Sequence, residues 1–375
     1  MVDSWIDCSA CGNRYASYLS ACPGCNVPNN LGPSPQAMKK SFTGIVVAVA
    51  AIALIAVALV LLAPSLIGII TKQENNPIIT ILQQSQEPIT VPREELVYFA
   101  LDQINKDRAD FGLPPVELSS NQAAQSHAED VFNTKQISHW MTNGEKPYMT
   151  YSRYGGEGSV QQNVAIAGFS VEQYEDCRSN ILIDCEKIKP LATIEELEYE
   201  MMYRDKECCK DGHRDNILDP HHTHVSIGIV YDQYYLAFVE NFENNYGLDL
   251  TVSNGQVRIT GKLLEGELEQ ISIYFDEMPT SAIYDQNKHL LSYSAGDLAA
   301  MVVKPLPPGY YYETPHGYTL VQANRWEDAD SINVMFNLAS AVEEDGVYTL
   351  FAMVKNDEEM FDVMSYSIFV DSEES

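Results

Sequence analysis

From Phe42 to Ile70 the chain carries no charged residue and almost no polar one. A run of this length exceeds the roughly 20 residues that cross a hydrocarbon core. A long polar segment precedes it, and it is too long for the apolar part of a cleaved signal peptide. Lys39 and Lys40 stand just before it, whereas only Lys72 follows closely, with Glu74 nearby. The positive-inside bias therefore puts the N-terminus in the cytoplasm and everything after Thr71 outside. The expectation is a single-pass protein of the cell membrane. Its span covers 42–70, with a Pro- and Gly-containing linker at 31–41 before it and a polar stalk at 71–91 after it.

That run divides the eight cysteines into two groups. Cys8-x2-Cys11 and Cys22-x2-Cys25 lie on the cytoplasmic side, each pair with glycine close by for the tight turn that aims two thiolates at one ion. Four thiolates so spaced suit a closed, tetrahedral structural zinc. A segment of 1–30 has no core of its own, so the metal would supply its folding energy. Two disulfides are the alternative. A ribbon of this kind also offers a surface to a cytosolic partner. The net charge of −30 argues against nucleic acid as a partner of the chain, because an acidic exterior repels phosphate.

Cys177, Cys185, Cys208 and Cys209 fall on the outer side, where thiols are oxidised. Adjacent cysteines rarely bond each other without strain. Cys208 and Cys209 are therefore each expected to reach one of Cys177 and Cys185, in either pairing. A second zinc site is the alternative.

The outer part opens with apolar residues at helical spacing over Glu94–Phe111, stopped by Gly112 and Pro114-Pro115. A second helix fits Ser119–Phe132, with Ser119 or Ser120 as its cap. A third, acidic one fits Glu195–Glu207. Four of the eight histidines then crowd Gly212–Gly228: His213, His221, His222 and His224. Val225, Ile227 and Ile229 alternate with small residues, the mark of a half-buried strand. A partner strand at Tyr234–Glu240 would return across Asp232-Gln233 as a hairpin.

These residues carry a family likeness. Asn105-x2-Arg108-x3-Gly112-Leu113-Pro114-Pro115-Val116, Ser138-His139, Gly212-His213-Arg214-x-Asn216-Ile217-Leu218, Thr223-His224-Val225-x-Ile227-Gly228 and Val239-Glu240-Asn241-Phe242 occur in order. Together they resemble the CAP superfamily of cysteine-rich secretory, antigen 5 and pathogenesis-related 1 proteins, also called the SCP domain. The likeness implies an α-β-α sandwich around a central antiparallel sheet, here over 92–247. It also implies a cavity lined by two histidines and two acidic residues. His139 takes the first histidine position and His221 the second. Gln162 stands where the family has its first acid, with Glu157 a nearby substitute. Asp205 or Glu207 would be the second acid, and His213 and His224 complete the set of cavity candidates.

Two imidazoles with one or two carboxylates suit zinc or another divalent cation with an open position for water. A set of histidines held by hydrogen bonds, without metal, is the other reading. The sequence has no His-Glu-x2-His pair and no Gly-x-Ser-x-Gly elbow. The expectation is thus a binding module for a small lipid, an envelope glycan or a protein. The alternative is an extracellular metal-dependent hydrolase using His139, His221 and a nearby acid.

Residues 248–370 change texture. Short alternating runs at Leu248–Val252, Gln256–Thr260, Gln270–Phe275, Ser331–Phe336, Tyr348–Val354 and Met364–Val370 suggest an immunoglobulin-like β-sandwich. Tyr310-Tyr311-Tyr312 and Tyr318 read as core or strand-pairing residues, with a binding patch as the alternative. The acidic tail, 371–375, ends the chain. The fold class expected is α+β: a CAP-like sandwich, then an all-β domain, preceded by a zinc ribbon and one membrane helix.

Overall fold

The computed structural model describes the backbone of residues 5–7 and 14–16, and residues 90–371 apart from 181–182, 314, 329–330 and 358. Strands β1 (Trp5–Asp7) and β2 (Arg14–Ala16) pair antiparallel. Cys8, Cys11, Cys22, Cys25, the apolar run and the tail beyond Asp371 lie outside the described residues. Among the described residues, no helix is long and apolar enough to cross a membrane.

Helix α1 (Arg93–Asp110) sits where the periodicity puts it. Its stripe of Leu96, Val97, Ala100 and Ile104 is buried, and it ends before Gly112, whose φ of +75° suits glycine. The short strand β3 (Glu117–Leu118) follows. Helix α2 (Ala123–Thr134) begins four residues later than its serines suggest. The Ser119 amide is spent on the Val225 carbonyl at 2.9 Å, so the chain stays extended there. Asn121 Oδ1 then takes the Ala123 amide, the office a cap would hold. Helix α3 (Pro147–Arg153) leads into β4 (Ser159–Gly168), and helix α4 (Val171–Ser179) into an insertion. Helix α5 (Pro190–Tyr203) ends earlier than the acidic pattern implies, and one-turn helices α6 (Lys206–Cys209) and α7 (Gly212–Ile217) follow. The hairpin of β5 (His224–Tyr231) and β6 (Tyr235–Asn244) closes the domain.

These strands form one sheet in the order β3-β5-β6-β4, antiparallel except for β3 beside β5. One face carries a core built with α1 and α5, including Leu96, Ile104, Ile194, Met202 and Phe238. The other carries a smaller core with α2 and α4, including Ala124, Val131, Tyr174 and Val239. The result is three layers, helix-sheet-helix. The approach of α2 to β5 is tight enough that a Cβ on Gly228 would stand 2.0 Å from the Ala124 carbonyl oxygen.

Beyond Asn244 come two sheets around one apolar core. The first holds β7 (Leu248–Ser253), β8 (Gln256–Gly261), β13 (Ile332–Asn337) and β12 (Arg325–Asp328). The second holds β9 (Glu267–Asp276), β10 (Asp297–Val303), β11 (Thr319–Gln322), β14 (Gly346–Lys355) and β15 (Met360–Val370). Helix α8 (Ser281–Asn287) and the segment after it leave the sandwich and return toward the CAP-like domain. Tyr310, Tyr311 and Tyr312 are exposed, Tyr311 by 87%, which overturns their reading as core. They stand outside any strand.

The outer cysteines pair differently from expectation. Cys177 bonds Cys185, with Cα atoms 5.8 Å apart, and Cys208 bonds Cys209. The insertion turns back on itself within eight residues and brings its own two cysteines into bonding range. Each pair is therefore local, and no bridge ties the insertion to α6.

Candidate functional site

The site grows from Arg108, fully buried on α1. Its guanidinium donates to the carbonyls of Pro114, Ile217, Asp219 and His222. One planar cation with five donors thus holds the loop that follows α7. Asn105 does the same for Val116, donating to its carbonyl and accepting from its amide. The opening motif is a clamp that positions the histidine stretch.

A cavity of about 520 Å³ lies between the β4 edge and the second sheet of the sandwich. His139, Gln162 and His213 line it from one side, and Tyr274, Tyr293 and Phe351 from the other. His139 Nδ1–H donates to Gln162 Oε1 at 3.1 Å. The Gln162 amide donates in turn to His127 Nδ1 (3.1 Å) and Asn241 Oδ1 (3.0 Å), and His127 Nε2–H donates to the Ser138 carbonyl at 2.8 Å. This assignment of protons lets every partner donate or accept once. Burial pushes His127 down to about 4 and lowers His139 as well, so the chain of bonds is neutral near pH 7. An amide at position 162 fits this relay, because it can accept from one imidazole while donating to the other.

His213 enters from the opposite rim. Its Nδ1 is 2.6 Å from Asp205 Oδ1, and its amide donates to Asp205 Oδ2 at 2.8 Å. Lys210 and Asp211, both with positive φ, turn the chain so that α7 can make this return. Asn163 ties the rim to the sheet, donating to the His213 carbonyl at 3.1 Å and to Glu240 Oε2 at 3.2 Å. On the sandwich side, the Tyr293 ring packs 5.1 Å from His139 and 6.2 Å from Tyr148. Asp362 reaches the same cavity, and burial pushes its carboxyl up to about 6.

The structure separates the other candidates. His221 lines a different pocket, near Asp219 and Glu359, and stacks on Phe361 of β15 at 3.8 Å. The histidine that shares the cavity with His139 is His213. Glu157 lies against Asp249 and Leu250, and Glu207 is exposed on α6. His224 bonds Thr223 and faces Glu117 on the outer edge of the sheet. Asp205 is the acid that meets a cavity histidine. His139 and His221, as a pair, do not assemble a metal-binding set. Among the described residues, the one group of three or more His, Cys, Asp or Glu side chains whose ligand atoms gather within 4.8 Å is Asp205, Cys208, Cys209 and His213.

Two contributors escaped sequence reading. His127 belongs to the family's opening motif but not to the expected cavity set, and Tyr293 belongs to a segment with no periodic signal. A polar residue on the inward face of an alanine-rich helix was the one available hint for His127.

Residues 101–242 match the family profile described as CAP, the cysteine-rich secretory protein family. A solved structure from Bacillus anthracis str. Ames, an extracellular protein containing an SCP domain, aligns with 18% identity over 43% of this chain and 45% of that one, at a TM-score of 0.29. This chain thus spans less than half the length of that protein. No curated protein matches the chain. With its helix-sheet-helix layers and its ordered motifs, the segment 101–242 is a CAP domain.

Proposed function

We propose that the chain is a membrane-anchored, extracytoplasmic binding protein whose ligand lies in the cleft between the CAP domain and the sandwich. The apolar run at 42–70 would be the single span, and Cys8, Cys11, Cys22 and Cys25 would hold a structural zinc on the cytoplasmic side. The observation that carries the reading is the cavity's lining. Neutral donors and acceptors at His139, Gln162, Asn163 and Ser272 stand among Tyr148, Tyr274, Tyr293 and Phe351. Amides and imidazoles placed among aromatic faces suit a neutral, hydroxyl-rich ligand. An envelope glycan fits this better than an acyl chain, which needs a largely apolar wall.

The test is calorimetric titration of the full chain in detergent with a panel of short neutral oligosaccharides, and in parallel with zwitterionic lipid vesicles. Binding of an oligosaccharide, weakened at least tenfold by Tyr293→Ala and by Gln162→Ala, supports the reading. Binding of lipid alone, or binding indifferent to both changes, overturns it.

Hydrolysis in the same cavity is the second reading, and the Asp205–His213 pair is what favours it. An imidazole whose Nδ1–H is held by a carboxylate presents Nε2 as a proton acceptor. Release of a shortened sugar during the titrations above would establish it.

A further inference from the structure

The Cys208–Cys209 bond has a peculiarity of position. A disulfide stabilises chiefly by closing a loop of the unfolded chain. Cys177–Cys185 closes one of eight residues, whereas Cys208 and Cys209 are neighbours and close none. Its stabilising effect on the fold is therefore slight. Cys208 is exposed and Cys209 half-buried at the cavity rim, so neither residue is sealed in the core away from an external thiol. Beside them stand the buried carboxylate of Asp205 and the imidazole of His213. Cys208 Sγ is 3.5 Å from Asp205 Oδ1, and all four ligand atoms lie within 4.8 Å of one another.

We propose that Asp205, Cys208, Cys209 and His213 form a redox-gated site for a thiophilic divalent cation such as Zn2+. In the disulfide state the sulfurs cannot act as thiolates and the site is shut. An external dithiol opens it: the Cys208–Cys209 bond takes two electrons and two protons and becomes two thiols, and the donor leaves as its own disulfide. Cation binding then forms two metal–sulfur bonds and releases both thiol protons to solvent. Two thiolates, an imidazole and a carboxylate are a donor set suited to four-coordinate zinc. Exchange with an external disulfide reverses the sequence, returning two electrons to that partner and releasing the cation. The site shares His213 with the ligand cleft but stands independently of what that cleft binds.

The test uses the full chain in detergent, with Cys8, Cys11, Cys22 and Cys25 all changed to serine so that the N-terminal thiols do not report. The protein is reduced with a phosphine, freed of reductant under nitrogen, and titrated with Co2+ as the probe. The expected result is one equivalent bound, with a thiolate-to-cobalt charge-transfer band. The band should vanish on treatment with glutathione disulfide and return on reduction, a comparison that needs no further variant. Adding Cys208→Ser and Cys209→Ser should abolish it although Cys177 and Cys185 remain. His213→Gln should weaken binding roughly tenfold or more while leaving both thiols in place. No charge-transfer band in the reduced protein overturns the proposal. So does a band that survives oxidation or the paired serine substitution, or one unaffected by His213→Gln.

Discussion

His213 Nδ1 lies 2.6 Å from Asp205 Oδ1, and the backbone amide of the same histidine reaches the other oxygen of that carboxylate at 2.8 Å. One buried side chain thus fixes both the ring and the main chain at the start of α7. Asp205→Asn replaces a charged acceptor by an amide that can accept through one atom only. Hydrogen bonds to a charged group contribute more than neutral ones, so the change should cost about 1.5–3 kcal/mol. A urea titration checks this through a lower midpoint with an unchanged slope. A loss under about 0.5 kcal/mol, the range of ordinary surface changes, would mean that the carboxylate does not hold the turn.

His221 and Phe361 form a stacked pair, 3.8 Å between ring centres and 19° between planes, and this pair joins the CAP domain to β15. We expect His221→Ala and Phe361→Ala each to destabilise the chain, and the double variant to cost less than the two together. The coupling should be about 0.5–1.5 kcal/mol, the usual worth of an aromatic pair beyond its area. Ligand binding in the His139 cavity should survive His221→Ala, because His221 lines another pocket. Additive single effects would show that the stacking carries no energy.

Gly228→Ala probes the contact of α2 with β5. The new methyl would meet the Ala124 carbonyl at 2.0 Å, and that atom belongs to a helix backbone that cannot turn aside. The helix must lift from the sheet, opening the core around Ala124, Ala128 and Val239. Overpacking of this kind costs about 1–3 kcal/mol. Thermal melting of the variant should show the loss, and Ala124→Gly, which leaves the carbonyl in place, should not rescue it.

The elements with strong periodicity were legible in the sequence. Helix α1, the β5–β6 hairpin and most of the sandwich strands follow from apolar spacing and turn residues. What failed was pairing in space. His221 and His213 lie eight residues apart, and the Asp205 bonds to His213, with the clamp of Arg108 on Ile217, Asp219 and His222, decide which of them turns inward. Strands β10, β11 and β12 carry weak alternation because their faces are only partly buried. Tyr293 reaches His139 from the second domain, and no local pattern encodes a contact between residues so far apart in the chain. The cysteine pairing failed for a related reason: spacing in the chain carries the strain of joining neighbours but not the return that brings Cys185 to Cys177.

A buried acid pair sets the pH range of the fold. Glu240 and Glu198 are almost wholly buried, beside Asp107 and Asn163. Burial pushes the Glu240 carboxyl up to about 7. Burial, with Glu240 and Asp107 close by, raises Glu198 well above the ordinary range. The folded chain therefore keeps protons that the unfolded chain has already lost. A raised carboxyl contributes stability that is complete below its ordinary value of 4.5 and is lost as pH climbs through its folded value. The buried imidazoles of His127 and His222, both lowered to about 4, act in the opposite sense, but only below their ordinary value of 6.5. Above that point the histidines are neutral in both states, and the carboxyls act alone. Stability should fall as pH rises from 6.5 through about 7, where Glu240 loses its proton, and further for as long as Glu198 keeps its own, by up to about 1.4 kcal/mol per pH unit for each proton still held by the fold alone. Glu198→Gln removes one such group and leaves a neutral amide beside Glu240. Its advantage over the parent chain should therefore be small at pH 5 and grow as pH rises. Urea midpoints measured across that range decide the matter, and parallel curves for the two proteins would show that the buried pair does not set the alkaline limit.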